Sequence, residues 1–334
     1  MHWPGGYGDK RIEELSRLLT VSFFAALFAS GIRLAIPIFL AALGEIVTER
    51  GGVLNLGLEG IMLAGALAGF MATYYVEQSA NASLLPLAPW VGIAAGIVAG
   101  MAMGLIMAVL AVSLHTDQVI ASITLVILGQ GITTYIFRQQ FGSLTARITG
   151  FETLPIPLLS DIPFLGEVLF SHDIMTYLSS LILIATAYFL AQTTWGLNIR
   201  AVGEHPAAAD TSGINVTVTR YVAVLIGAGL AGLGGAVLTV AQLGIFNENI
   251  TAGRGWIAVA LVIFARWRPG LAFAGALLFG VANALQFRIQ ALNLEVIPYE
   301  ALLMLPYVLT ILVLLRKVNK SEAPAALGTP YVKE

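Results

Sequence analysis

The sequence predicts an all-α, polytopic membrane protein. Composition and the recurrence of long apolar stretches are the two observations behind this prediction. Hydrophobic residues make up 58% of the chain and charged residues 11%, whereas an ordinary soluble domain has about 25% charged residues. Stretches of about 20 mostly apolar residues recur along the chain, and this is the length that a helix needs to cross a bilayer.

Windows of about 19 residues predict about nine transmembrane helices, within a range of about eight to ten. Residues 12–29 form a further helix, which is either an interfacial helix or a tenth span. The chain then divides into an N-terminal segment (1–29), a transmembrane domain (30–315) and a tail (316–334). The predicted spans are 30–48, 53–76, 90–113, 117–137, 174–192, 219–243, 255–267, which is short, 271–290 and 300–315.

Lysine and arginine in short loops predict the orientation, because such residues are enriched on the cytoplasmic side. The basic tail after residue 315 is predicted to be cytoplasmic, and counting spans back places 193–218 on the same side. The segments 138–173 and 244–254 then lie outside. Nine spans would place the N-terminus outside, whereas Lys10, Arg11 and Arg17 favour the inside. An interfacial first helix or a tenth span would each resolve this conflict, and both alternatives remain open.

Glycines recur at helical spacing and predict close helix packing. Gly92, Gly96, Gly100 and Gly104 are spaced by four residues and share one helix face. In lipid there is little hydrophobic drive between helices, so close backbone approach over small residues holds a bundle together.

Two segments, 44–69 and 244–262, each place a polar, glycine-bearing break before a glycine-rich apolar run. Paired interrupted segments of this kind are typical of transporters, where they lie near the substrate site. The sequence therefore predicts interrupted helices near a pore.

Several chemistries are excluded or disfavoured. The chain has no cysteine, and none of its four lysines completes the Gly-Lys-Ser/Thr end of a phosphate-binding loop. The histidines are far apart and form no zinc-binding motif. We therefore predict no catalytic residues, no metal and no cofactor. The net charge of −2 gives no reason to expect a nucleic-acid partner.

Polar residues in or beside the spans are candidates for a substrate pathway. Asn55 and Glu59 lie four residues apart on one helix face, near the start of a span. Glu59 could satisfy backbone N–H groups there or pair with Arg50. Alternatively, both residues could line a cavity, since ionisable groups in membranes are functional candidates. Asn247 and Asn249 could likewise belong to an outer loop or to the mouth of the pathway.

The segment "AVGEHPAAADTSGIN" (201–215) is a compact polar interruption on the predicted cytoplasmic side. Pro206 suits the first turn of a helix, and Gly213 can end the helix in a left-handed conformation. These residues predict a short, bounded helix that docks onto a partner, rather than an ordinary loop.

Three segments carry a family resemblance. They resemble the permease subunits of ABC importers in the ribose/branched-chain amino acid branch, and within it the nucleoside (simple-sugar-type) permeases that work with a lipoprotein of the basic-membrane type. The resemblance covers about residues 30–315. The segments are "GEIVTERGGVLNLGLEGIMLAGA", "WGLNIRAVGEHPAAADTSGI" and "GRGWIAVALVIFARWRPGLAFAGALLFG".

The resemblance implies an inner (plasma) membrane subunit that forms half of a pore. Its implied partners are a second, often non-identical permease, a cytoplasmic tandem-domain ATPase, an extracytoplasmic substrate-binding lipoprotein and membrane lipid. The family's "NLGLEG" element corresponds to Asn55–Gly60. The segment that couples to the ATPase comprises Gly203, Glu204, His205, Pro206, Ala207, Ala208, Ala209 and Asp210, with Gly213 at its end.

The resemblance thus implies import of a small polar solute, a nucleoside, without chemistry in this chain. A simple sugar or a branched-chain amino acid is the alternative within the family. An ATPase-independent secondary transporter is a further alternative. It would need paired buried charges for ion coupling, and the spans offer few outside the segment around Glu45, Glu49, Arg50 and Glu59.

Overall fold

The computed structural model describes residues 20–79, 82–142, 146–291 and 322–333, together with Met304 and Val308. Within these ranges a short antiparallel pair, β1 (Thr153–Pro155) and β2 (Ser171–Asp173), accompanies a helical bundle. The helices are α1 (Val21–Arg50), α2 (Leu58–Glu77), α3 (Ala88–Ala108), α4 (Gln118–Phe141), α5 (Leu165–Leu169), α6 (Ile174–Gln192), α7 (Thr194–Glu204), α8 (Pro206–Thr211), α9 (Val216–Ala236), α10 (Arg254–Phe264) and α11 (Pro269–Ala291).

Two of the long helices continue beyond their α-helical part, and one has a preceding turn. A 3₁₀ turn (Ala82–Leu87) leads into α3, and π-helical turns extend α3 through Val109–Ser113 and α9 through Val237–Leu243. These extensions allow α3 and α9 to span more than their α-helical residues alone.

The predicted all-α, polytopic class is confirmed, because seven helices in the described part are long and apolar enough to cross a membrane. The count of about nine is not confirmed. Helix α10 has 11 residues and is shorter than a span requires, and the predicted span 300–315 lies outside the described residues except for Met304 and Val308. The seven are α1, α2, α3 with its extensions, α4, α6, α9 with its extension, and α11.

Helix α1 crosses residue 30 without a break, although the boundary between the N-terminal segment and the first span is predicted there. The helix begins after Thr20, whose hydroxyl accepts a hydrogen bond from the Phe23 N–H at 3.3 Å. Residues 21–29 therefore belong to the same helix as the predicted span 30–48, and residues 12–19 lie outside the described part. The apolar windows missed this continuity because Ser30 and Arg33 interrupt the apolar run inside the helix.

Helices α2, α3 and α9 meet through glycine, as the spacing of the glycines predicts. A Cβ added at Gly65 of α2 would overlap the carbonyl oxygen of Gly232 in α9, and one at Gly232 would overlap that of Gly96 in α3. At Gly100 an added Cβ would lie 2.8 Å from the Gly232 Cα. The three backbones are thus in direct contact, and these positions have no room for a side chain.

Both predicted interruptions are non-helical stretches. The first, 51–57, joins α1 to α2 and is largely buried, with Gly52 at φ +83°. The second, 244–253, joins the π-helical end of α9 to α10 and has left-handed residues at Gly244 and Gly253. Their nearness to a pore stays a prediction.

We expect Gly100→Leu to lower the melting temperature of the detergent-solubilised protein by about 2–4 °C, because overpacking a tight contact costs about 1–3 kcal/mol. Thermal unfolding followed by tryptophan fluorescence measures this change. Gly131→Leu in α4 is the matched control, because an added Cβ there meets nothing within 4 Å. Equal melting temperatures for the two variants would show that the glycine contacts do not hold the bundle.

Candidate functional site

The segment formed by α7 and α8 is built as two short helices joined at His205. The hydroxyl of Thr193 caps the start of α7 by accepting from the Gly196 N–H at 3.1 Å. Helix α8 begins with Pro206 at its first turn and ends at Thr211, and Gly213 follows with φ +86°. The predicted short helix, bounded by Pro206 and Gly213, is confirmed.

Helix α8 has one covered face and one open face. Ala209 is buried and packs with Val202 of α7 and Val216 of α9. The open face consists of residues that no described part of the chain covers. They are His205, Ala207, Ala208 and Thr211. This small surface, formed by two alanines and two polar residues, is left open by the described part of the chain.

Gly203, at the end of α7, lies against the connection between α1 and α2. An added Cβ at Gly203 would overlap the carbonyl oxygen of Arg50 and lie 3.2 Å from the Gly52 nitrogen. The last turn of α7 is therefore in backbone contact with the end of α1, and α8 cannot shift as a free loop would.

The two carboxylates of the segment bind the C-terminal residues. The Ala325 N–H donates to Glu204 Oε2 at 3.2 Å. Asp210 accepts from the Tyr331 hydroxyl at 3.2 Å and from Lys333 Nζ at 3.0 Å, and the latter hydrogen bond raises the pKa of Lys333. Sequence reasoning treated the tail only as a cytoplasmic end and missed these contacts, because they use backbone groups and isolated side chains.

Glu59 lies in the first turn of α2 and caps α10 across the bundle. Its side chain is buried, and its Oε1 accepts from the Thr251 hydroxyl at 2.5 Å and the Gly253 N–H at 2.8 Å. Its Oε2 accepts from the Gly255 N–H at 2.7 Å. Since the cap residue Gly253 has no side chain, Glu59 supplies the acceptors that the start of α10 needs. Glu59 therefore satisfies backbone N–H groups as expected, but they are those of α10 and not those of its own span.

The other predicted pathway residues lie in different surroundings. Asn55 is fully buried; its Oδ1 accepts from the Gly57 N–H at 3.0 Å, and its backbone N–H donates to Glu45 Oε1 at 2.9 Å. Asn247 and Asn249 are exposed in the 244–253 connection. The structure thus brings Glu59 to the segment that follows Asn249, while a shared lining of one cavity stays a prediction.

Two further carboxylates lie fully inside the bundle on successive turns of α1. Glu49 accepts from Trp267 Nε1 at 2.5 Å, and Glu45 accepts from the Asn55 N–H. Their described hydrogen-bond donors are neutral, so the paired opposite charges typical of ion coupling are not formed here. In the described residues no group of three or more His, Asp or Glu side chains could hold a metal ion.

Seven membrane-length helices in the described part, together with the broken connections between helices and the short helix α8, are the architecture of a multi-pass membrane permease. The chain belongs to the family described as the branched-chain amino acid transport system / permease component, which matches residues 27–314. It is accordingly a transport component of the plasma membrane and not a catalytic subunit.

Three relatives are similar over nearly the whole chain. One, named "Putative glucose ABC transporter permease protein", is from Haloferax volcanii; it is 40% identical over 94% of this chain and 99% of its own. The guanosine ABC transporter permease protein of Bacillus subtilis is 38% identical over 90% and 94%. The nucleoside ABC transporter permease protein of Lactococcus lactis is 34% identical over 89% and 93%.

Each of these organisms also has a second, less similar ABC permease that matches this chain at 25–28% identity. No solved structure matches the chain.

We expect Glu59→Ala to destabilise the protein by about 3 kcal/mol, because it leaves two buried donors and one partly buried donor without an acceptor, at about 1–3 kcal/mol for each buried group. Thr251→Val removes one of the three bonds together with its donor and should cost about 1 kcal/mol. Denaturant unfolding in detergent measures both. Glu152→Ala, at an exposed position, serves as the control. If Glu59→Ala were no less stable than that control, the capping role would be wrong.

Proposed function

We propose that this chain is the membrane-spanning half of an ABC importer and that a separate cytoplasmic ATPase docks on the open face of α8. The observation that carries the proposal is a rigid short helix whose inner side is packed and whose outer side is free. Glu204, Asp210 and Gly203 hold the segment in place, and His205, Ala207, Ala208 and Thr211 form the surface for the ATPase.

Backbone contact explains how docking would act on the bundle. Gly203 packs against Arg50 and Gly52, so displacement of α8 moves the end of α1 and the connection to α2. Helix α2 in turn holds α10 through Glu59. A closing ATPase could therefore shift helices on both sides of the interrupted segments, as a rigid-body switch requires.

Replacing Ala207 and Ala208 together by arginine tests the docking face. We expect affinity-tagged protein carrying both changes to lose about tenfold or more of the ATP-hydrolysis activity that co-purifies from membranes, because two long charged side chains prevent close contact. Leu158→Arg is the control, because Leu158 is 85% exposed and far from α8 in sequence. Unchanged ATPase co-purification in the double variant would refute docking on α8.

The second permease is proposed to be a non-identical homologue. Three organisms each carry one relative at 34–40% identity to this chain and another at 25–28%. Two diverged permeases in one organism are what a pore with two different halves requires. An extracytoplasmic lipoprotein is proposed to deliver the solute on the side that carries β1 and β2.

We propose a nucleoside as the solute, because two of the three relatives are named for guanosine or nucleoside transport.

The pathway is proposed to pass Asn55, Glu59, Asn247 and Asn249. Near its mouth the 244–253 connection is tied to α4 by Arg138, which donates to both carboxylate oxygens of Glu248 at 2.6 and 2.8 Å. That contact lowers the pKa of Glu248.

Uptake measurements distinguish the solute classes. We expect cells that contain this chain to accumulate radiolabelled guanosine, and cells lacking it to lose most of that uptake. Unlabelled adenosine should compete, whereas glucose and leucine should not. Competition by glucose alone would assign the chain to sugars, and competition by leucine alone would assign it to branched-chain amino acids. Uptake that persists without ATP would favour the secondary-transporter alternative.

A further inference from the structure

Residues 322–333, here called the C-terminal strap, cross the face of the bundle that carries α8. The strap contacts the helix connections on this face one after another. Glu322 pairs with Arg268 at 3.1 Å and with Arg266 at 3.5 Å, between α10 and α11. Further along, the strap binds Gly203, Glu204, Gly52, Arg220, His115 and Asp210.

The middle of the strap binds where α1, α7 and α9 converge. The Ala326 N–H donates to the Gly203 carbonyl at 2.9 Å, and the Gly328 N–H donates to the Gly52 carbonyl at 3.1 Å. One strap residue therefore hydrogen-bonds to the last turn of α7, and another, two positions later, hydrogen-bonds to the α1–α2 connection.

A buried arginine adds a third bond at this point. Arg220 of α9 is 1% exposed, and its Nη1 donates to the Thr329 carbonyl at 3.0 Å. Within the described residues its Nε and Nη2 have no hydrogen-bond partner. A buried cation is costly without acceptors, so α9 depends on the strap to satisfy this side chain.

Two apolar side chains anchor the strap. Leu327 packs against the main hydrophobic core, and Tyr331 packs against the small cluster of Val202, Ala209 and Val216 beneath α8. The Tyr331 carbonyl also accepts from His115 Nε2 at 3.1 Å, in the connection between α3 and α4. The strap is thus fixed on both sides of α8.

The strap leaves the docking face of α8 open. His205, Ala207, Ala208 and Thr211 are exposed with the strap in place. The strap instead binds Asp210, whose side chain is 19% exposed. A segment that masked the docking face would cover these four residues, and the strap does not. The strap therefore supports α8 from its inner side, as a brace would.

We propose that the C-terminal strap fixes α8 to α1, α9 and the α10–α11 turn, so that movement imposed on α8 is transmitted to these helices. The inference rests on the proposed docking of an ATPase at α8 and adds a second element to that site. It assigns to Leu327, Tyr331 and Lys333 the role of positioning residues, which never touch the transported solute.

The strap itself can be tested without any partner. In Leu327→Asp/Tyr331→Asp both anchors become charged, and the carboxylate introduced by the second substitution would face Asp210. We expect hydrogen exchange of amides 207–213 in the purified full-length chain to become at least tenfold faster. In the matched control Thr329→Asp/Val332→Asp, the same charges enter at exposed positions of the same segment, and exchange should stay within twofold. Unchanged exchange in the anchor variant would overturn the proposal.

Transmission is tested with the same variants in membranes. We expect the anchor variant to retain co-purifying ATPase within twofold while guanosine uptake per ATP hydrolysed falls at least fivefold. The charge swap Asp210→Lys/Lys333→Asp should restore an ion pair between positions 210 and 333. We expect the swapped variant to transport guanosine better than the Lys333→Asp variant, which has no such pair. Full uptake in the anchor variant, or uptake that rises, would overturn the proposal. If docking on α8 is itself wrong, the arginine variants at Ala207 and Ala208 keep their ATPase, and the exchange result still stands.

Covalent bridging separates a brace from a mask. The natural chain has no cysteine, so Asp210→Cys/Lys333→Cys can be joined selectively by a short thiol-reactive cross-linker that replaces the ion pair. We expect the bridged protein to keep at least half of the uptake of the unbridged double variant. Loss of uptake upon bridging, with single-cysteine variants unaffected by the reagent, would show that the strap must leave and would overturn the proposal.

Discussion

The architecture depends on direct backbone contact between α2, α3 and α9. In a bilayer, apolar side chains gain little by leaving lipid for another helix, so packing must come from close approach. Gly65, Gly96, Gly100 and Gly232 allow that approach, since a single Cβ at any of them would overlap a backbone or Cβ atom of a neighbouring helix. A bundle held in this way behaves as a rigid body, and both candidate sites are attached to it.

Such a bundle can contain interrupted helices only if their free backbone groups find partners inside the protein. Glu59 does this for α10, because one carboxylate accepts from a hydroxyl and two N–H groups. Glu45 does the same for the 51–57 connection through the Asn55 N–H. Of these two carboxylates the sequence suggests only Glu59 as a pathway residue. Glu59 thus has a structural role, and any contact with solute would be added to that role.

Sequence patterns predicted the features that are encoded locally. Pro206 and Gly213 bound α8 because each residue acts on its own backbone, and glycines four apart share a face because of helix periodicity. The partner of Glu59 could not be predicted, since Thr251 is 192 positions away. The position of the strap could not be predicted either, because its contacts with Gly203 and Gly52 join backbone groups that every residue possesses. The continuity of α1 across residue 30 could not be predicted either, because apolar composition does not show whether one helix continues into the next apolar stretch.

Helix α8 has only six residues, and an isolated helix of that length is not stable in water. Its order must therefore come from packing of Ala209 and from the strap. The Lys333–Asp210 pair contributes little, because exposed ion pairs are worth about 0–1 kcal/mol. Most of the free energy that keeps the strap on α8 must come from packing of Leu327 and Tyr331, together with the hydrogen bonds to Gly203 and Gly52. If an ATPase docks as proposed, a helix held through its inner side presents alanines to it and transmits a displacement to the bundle without first having to become ordered.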